Sequence, residues 1–199
     1  MKNLLITAIG GDISQSSALL VRKYFPDFTI IGCDSKPQKI GKDMVDFFYT
    51  LPDARSDEYI KQLNHLIKSL SIDIVIPMNE NELDEISNNI NSLEGHKFII
   101  SGPKVIEIGT DKYLTNKQLI KLKIQVPWTL LTEKSLPKNY PCIAKSRKGS
   151  GSKNVKIINN KMEAEEFYKK KGFIFQELLK PSNKEITCAV FRDRFSNKS

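Results

Sequence analysis

The chain is expected to fold as α/β, a doubly wound parallel sheet followed by a smaller unit of α+β type. Three observations predict this. Apolar runs of strand length alternate with amphipathic helical stretches from residue 3 to residue 103, those runs are apolar almost throughout, and the alternation stops at Ser101-Gly102-Pro103. Strands that bury both faces need helices on both sides, which is the layering of a parallel sheet built from βαβ units.

Residues 4–9 form the first strand. Residues 14–24 carry Ala18, Leu19 and Val21 at helical spacing, and residues 28–33 make an Ile-rich second strand that completes a βαβ unit. A loop holding Pro37 and Pro52 follows. Residues 57–70 place Ile60, Leu63, Leu66, Ile67 and Leu70 on one helical face, and 73–77 is a third buried-type strand. The period recurs over 81–93 with Leu83, Ile86, Ile90 and Leu93, before a fourth strand at 97–100. Beyond it, Asp111 can cap a helix reaching about Leu122, and Pro127 and Pro137 mark a loop. Strand-like segments at 141–145, 154–158, 173–176 and 185–191 surround one lysine-rich helix over 161–171. The expected division is therefore a first domain over 1–103, a linking helix within 104–127 and a second unit over 128–199.

Composition narrows the function. With 199 residues, 40% hydrophobic and 27% charged, the chain has room for a sizeable core, and no apolar run approaches the roughly 20 residues of a membrane span. The short apolar stretch at 4–9 runs straight into Gly10-Gly11-Asp12, a strand entering a turn rather than a secretory leader. Cys33, Cys142 and Cys188 are odd in number, widely spaced and set in apolar segments, which argues against disulfides and for the reduced cytoplasm. His65 and His96 lie far from any cysteine, so a zinc cluster lacks ligands. Net charge is +8, but residues 1–110 carry −4 and residues 111–199 carry +12. A basic second half suits a polyanion, a nucleotide triphosphate or nucleic acid, and equally a solvated lysine-rich surface.

Three segments carry candidate chemistry. Gly10-Gly11-Asp12-Ile13-Ser14 follows a strand and opens a helix, with Asp34 closing the next strand, where a dinucleotide fold keeps its phosphate turn and ribose acid. The full G-x-G-x-x-G is absent, and Asp12 would repel a pyrophosphate; Asp12 and Ser14 also serve as helix caps. The second segment runs from Lys145 at a strand end through Ser146-Arg147-Lys148-Gly149-Ser150-Gly151-Ser152-Lys153. Small residues let backbone amides close around phosphate oxygens while the cations offset their charge, although a surface hairpin with solvating lysines has the same composition. It is not G-x-x-x-x-G-K-[ST], so a P-loop is excluded. The third segment is Phe173-Ile174-Phe175-Gln176-Glu177-Leu178-Leu179, followed by Glu185. An apolar strand entering a hinge can present backbone groups to an adenine edge, and a carboxylate can accept from ribose hydroxyls; a buried strand and a strand-edge charge explain them equally.

In this order the segments resemble the ATP-grasp superfamily, and most closely its members similar to the large subunit of carbamoyl-phosphate synthetase. The resemblance covers nearly the whole chain. It implies a Rossmann-like pre-ATP-grasp domain followed by a partial ATP-grasp domain. It also implies Lys112 as a phosphate-contacting residue, Lys145 as the strand lysine on the α- and β-phosphates, and Lys148, Gly149, Ser150, Gly151 and Ser152 as the loop over the phosphates. Gln176, Glu177, Leu178 and Leu179 correspond to the adenine hinge and Glu185 to the ribose acid. The implied reaction is a ligation in which ATP activates a small carboxylate or bicarbonate as an acyl phosphate that an amine or ammonia then attacks.

The same resemblance places the magnesium ligands of the family in later strands of that domain. No Glu-x-Asn stands in a suitable final position here, and Asn79-Glu80-Asn81-Glu82 belongs to the first domain. The chain is thus expected to be the N-terminal part of a longer ligase, with ATP as cofactor, magnesium held elsewhere and no protein general base. Alone it is expected to be inactive, with exposed apolar surface that favours a homo-oligomer. Two other readings stay open: a Rossmann-type nucleotide- or NAD-binding protein using Gly10, Gly11 and Asp34, and a basic nucleic-acid-binding module. The latter lacks interleaved aromatics and a groove-reading helix.

Overall fold

The computed structural model describes residues 2–37, 41–93, 97–149, 151, 154–180, 186 and 188. The chain forms two compact units, Met1–Lys123 with Arg147–Lys153, and Ile124–Ser146 with Asn154–Ser199.

In the first unit, strands β1 (Lys2–Ile6), β2 (Phe28–Asp34), β3 (Phe47–Thr50), β4 (Ile74–Ile76) and β5 (Lys97–Phe98) form one sheet in the order β3-β2-β1-β4-β5. Every pairing is parallel. Successive residues point to opposite faces of a strand, and here both faces are covered. Leu5, Ile31, Cys33 and Val75 pack with Tyr59, Leu63 and Ile67 of helix α2 (Tyr59–Ser69) and with Ile86 of α3 (Glu80–Asn88). Their neighbours Leu4, Ile6 and Ile30 pack with Ala18 of α1 (Asp12–Tyr24). Neighbouring residues divide between two cores, so strands that are apolar throughout become a doubly wound sheet. Each fully buried Leu or Ile contributes about 1.5–3 kcal/mol.

The second unit holds β6 (Thr129–Leu131), β7 (Cys142–Ser146), β8 (Lys156–Ile158) and β9 (Phe173–Glu177), in the order β6-β9-β7-β8 with all pairs antiparallel. One face carries a small core of Cys142, Ala144, Ile158, Phe175 and Ala164, the last from helix α6 (Lys161–Glu165; the intervening α4 and α5 are Pro103–Gly109 and Lys112–Lys121).

Several expected elements differ. β3 lies inside the stretch expected as a loop; it is a half-exposed edge strand, so Phe47–Thr50 lack the continuous burial that marks the central strands. Pro103 does not end the first unit but opens α4 from its first turn, where a proline forfeits no hydrogen bond. The interval expected as one linking helix holds two, α4 and α5. The lysine-rich helix stops at Glu165. Beyond it the Lys169 amide bonds Thr132 O at 3.1 Å and the Thr132 hydroxyl donates to Lys170 O at 2.6 Å, drawing the chain back toward β9. β6 occupies part of the expected Pro127–Pro137 loop. Neither Asp12 nor Ser14 caps α1: Gly11 holds the cap position without a side-chain bond, and Asp12 begins the helix, where its charge suits the positive end of the dipole. Of the strand expected at 185–191 only Ile186 and Cys188 are described, and neither is assigned to a strand.

Candidate functional site

The Gly109–Lys112 turn sits between α4 and α5, and its geometry follows from the Asp111 cap. Asp111, only 3% exposed, accepts from the Tyr113 and Leu114 amides at 3.0 and 3.1 Å, which satisfies two of the first-turn donors that a helix leaves open. Arg147 Nε lies 2.8 Å from Asp111 Oδ1 and 2.7 Å from Oδ2, and its guanidinium stands 5.5 Å from the centre of the Tyr113 ring. The Lys112 amide donates to Arg147 O at 3.0 Å, and Lys112 Nζ donates to Gly149 O. Asp111 and Lys148 form an isolated antiparallel bridge. One residue further from the cap, Lys148 Nζ pairs with Asp84 Oδ2 at 2.7 Å, while Asp84 Oδ1 accepts from the Thr110 hydroxyl at 3.0 Å.

The first unit thus brings Lys112, Lys148 and Gly149 together, with Arg147 beside them. Gly149 and Gly151 adopt φ +100° and +71°, and an added Cβ at either would meet open space, so backbone conformation rather than crowding calls for glycine. Ser150 and Ser152 lie outside the described residues, as does Glu185.

In the second unit the register fixes the faces. Ile143 opposes Gln176, Lys145 opposes Ile174 and Ala144 opposes Phe175. Lys145 and Gln176 therefore share the face of β7 and β9 opposite the small core, on which Thr129 also lies, opposite Gln176 across β6. Gln176 Nε2 donates to Thr129 Oγ1 at 2.9 Å. Glu177 is tied to Trp128: its amide donates to Trp128 O at 3.0 Å and its Oε2 accepts from the Trp128 amide at 3.3 Å. Leu178 is half-buried and Leu179 exposed just past the strand end.

At the carboxyl ends of the parallel strands, a small cleft is lined by Asp34, Ser35, Asp53, Asn79, Asn81 and Glu82 among others. Asp34 is committed to its own loop, with Oδ2 accepting from the Gly10 amide at 3.0 Å and Oδ1 from the Lys36 amide at 3.3 Å. The carboxylate that a dinucleotide fold would offer to a ribose here braces the Gly10-Gly11 turn. Asn79 caps α3, accepting from the Asn81 amide. Glu82 is 7% exposed and accepts from the Thr7 hydroxyl; burial pushes its pKa upward, and the Thr7 bond partly opposes that. Sequence reasoning placed Glu82 in the first domain but missed Thr7, and it gave no role to Asp84, which is 64 residues from Lys148. Among the described residues no group of three His, Cys, Asp or Glu side chains comes together to hold a metal, and no helix is long and apolar enough to cross a membrane.

Residues 4–99 match the family described as PylC-like, N-terminal domain, and residues 109–195 match the ATP-grasp domain. The two matches follow one another along the chain. Over 87 residues it is 38% identical to a D-alanine–D-alanine ligase of Petrotoga mobilis, a match covering 43% of this chain and 29% of that protein. Its fold is similar to that of an L-amino acid ligase from Bacillus licheniformis, with TM-score 0.65 and 16% identity over 90% of this chain and 44% of that one. The biotin carboxylase domain of 2-oxoglutarate carboxylase from Hydrogenobacter thermophilus, solved with MgADP and bicarbonate, gives TM-score 0.65 and 16% identity over 89% and 44%. The chain spans less than half the length of these relatives.

Proposed function

We propose that the chain binds ATP as the nucleotide-binding part of an ATP-dependent carboxylate–amine ligase. The observation that carries this is the loop Arg147–Gly149, whose cations and positive-φ glycine lie against Lys112 within a segment matching the ATP-grasp domain. Lys112 and Lys148 supply cations for phosphate oxygens, and Gly149 lets the backbone turn its polar groups toward them. Lys145 serves the α- and β-phosphates, the Gln176–Leu179 strand end serves adenine, and Glu185 the ribose. Magnesium bound with the nucleotide would neutralise the triphosphate; its protein ligands are assigned to none of the described residues.

In the proposed reaction a carboxylate oxygen attacks the γ-phosphorus of ATP, an O–P bond forms and ADP departs. The amine nitrogen then attacks the acyl carbon, the C–O bond to phosphate breaks, and inorganic phosphate leaves while the amine gives up a proton. Holding anions in line requires positioning and cations more than a protein nucleophile. The ligase names of the relatives favour an amino-acid-like carboxylate as the substrate class, with bicarbonate, as in carbamoyl-phosphate synthesis, the alternative to it. Calorimetry tests the nucleotide step. ATP with magnesium should bind, Lys145→Ala should weaken it roughly 10- to 100-fold through loss of a charge-assisted bond, and NAD should not bind. Tight NAD binding that survives Lys145→Ala would overturn the reading in favour of the Rossmann-type alternative.

A further inference from the structure

Four polar groups of the loop between Arg147 and Gly149 are met by other residues of the first unit. Asp111 holds the Arg147 side chain, the Lys112 amide holds Arg147 O, Lys112 Nζ holds Gly149 O, and Asp84 holds Lys148 Nζ. Asp84 differs from the others in one respect: it opposes a side chain with a proposed task elsewhere. Its carboxylate is fixed from both sides, Oδ1 by the Thr110 hydroxyl and Oδ2 by Lys148. At 25% exposure it is partly withdrawn from water, whereas Lys148 is 57% exposed and sits on a flexible stem.

We propose that Asp84 is a latch for this loop: it holds Lys148 in the nucleotide-free chain and competes with the triphosphate for that ammonium. The competition half rests on the nucleotide reading above; the holding half does not. A half-exposed ion pair is weak enough to exchange partners, and phosphate oxygens offer Lys148 more negative charge than one carboxylate does. When Lys148 leaves, Asp84 keeps Thr110 as a partner, so release strands no buried charge. The same carboxylate, left beside the phosphates, repels them. Asp84 therefore sets the threshold at which nucleotide captures the loop.

The test uses the full chain with Asp84→Asn, which keeps an acceptor for Thr110, Lys148→Gln, and the double variant. The reporter is amide hydrogen exchange at Lys112. Lys112 is the first residue of α5, a position without an intrahelical acceptor, and its amide bonds Arg147 O, so its protection reads loop docking directly. Both single variants should speed that exchange several-fold, and the double variant should add little to either. Calorimetry with ATP and magnesium should show Asp84→Asn binding roughly 1.5- to fivefold more tightly, the range an exposed pair can supply, and Lys148→Gln binding more weakly. Unchanged Lys112 exchange in both variants overturns the latch. Weaker ATP binding by Asp84→Asn overturns the competition and makes Asp84 a supporting residue. Failure of the unaltered chain to bind ATP overturns the nucleotide reading and the competition with it, while Lys112 exchange still decides whether Asp84 holds the loop.

Discussion

Asp111 and Arg147, 36 residues apart, are joined by an ion pair whose acidic partner is also the N-cap of α5. The carboxylate is 4% exposed, so three donors share a group almost fully withdrawn from water. Replacing it with alanine removes the cap, typically worth 0.5–2 kcal/mol, and leaves the Tyr113 and Leu114 amides and the Arg147 guanidinium to find water. Asp111→Ala should cost about 1–3 kcal/mol in urea unfolding monitored on the first unit. Asp111→Asn, which keeps an oxygen for the amides and loses the charge, should cost less. Equal losses in the two variants would show that the ion pair, not the cap, dominates.

Glu82 predicts a pH dependence whose sign follows from its burial. Desolvation raises its folded-state pKa above the unfolded one, so between those two values the folded chain holds a proton that the unfolded chain has released. Stability therefore falls as pH rises from the ordinary glutamate value through the raised one. Glu82→Gln removes the titration while leaving an oxygen to accept from the Thr7 hydroxyl. Urea midpoints measured from pH 4 upward should decline for the native chain relative to Glu82→Gln, with the gap reaching a plateau once Glu82 is fully ionised. A gap that stays constant with pH would mean that Glu82 has the same pKa in the folded and unfolded chains.

The central strands were legible because a buried parallel strand is apolar on both faces: Leu4 and Leu5, or Ile30 and Ile31, each fill a different core. The antiparallel pairing of β7 with β8 was legible because lysines and glycines cluster within a few residues in the sequence between them. What sequence hid was non-local or at an edge. Phe47–Thr50 pair on one side only, so their burial is partial and their pattern indistinct. Pro103 reads as a break from sequence, yet the first helical turn is where proline is best tolerated. Thr7 meets Glu82 across 75 residues and Lys148 meets Asp84 across 64, and no spacing rule connects either pair. The only prior signal for Asp84 was its place on the helix that follows a parallel strand, where ligand contacts tend to gather.

Gly149 tests conformation apart from crowding. Its φ of +100° lies where side-chain-bearing residues are strained, yet nothing stands within 4 Å of an added Cβ. Gly149→Ala should cost roughly 1–2 kcal/mol of loop order, seen as faster Lys112 amide exchange, with the rest of the first unit unchanged. Gly109 is the control: it is the last residue of α4, an added Cβ there also meets nothing, and its φ is not positive. Gly109→Ala should be neutral or stabilise by up to about 1 kcal/mol. If both alanines loosen the loop alike, the strain account of Gly149 fails.

Phe175 bears on whether the second unit has a core of its own. It is fully buried in a cluster with Cys142, Ala144, Ile158 and Ala164, against which the partly buried Trp128, Leu130, Leu136, Tyr140 and Phe167 pack. Deleting a buried phenylalanine side chain typically costs 3–5 kcal/mol, because the cavity is only partly refilled. Phe175→Ala should fall within that range, with Phe175→Leu well below it. The loss should be local. Amide exchange should accelerate across β7 and β9, whose ladder runs from Cys142 opposite Glu177 to Ser146 opposite Phe173, while β1 and β2 keep their protection. That outcome requires the second unit to open without the first, as expected when each cluster of apolar side chains lies within its own unit. Exchange that accelerates equally in β1 and β2 would show one cooperative unit in place of two.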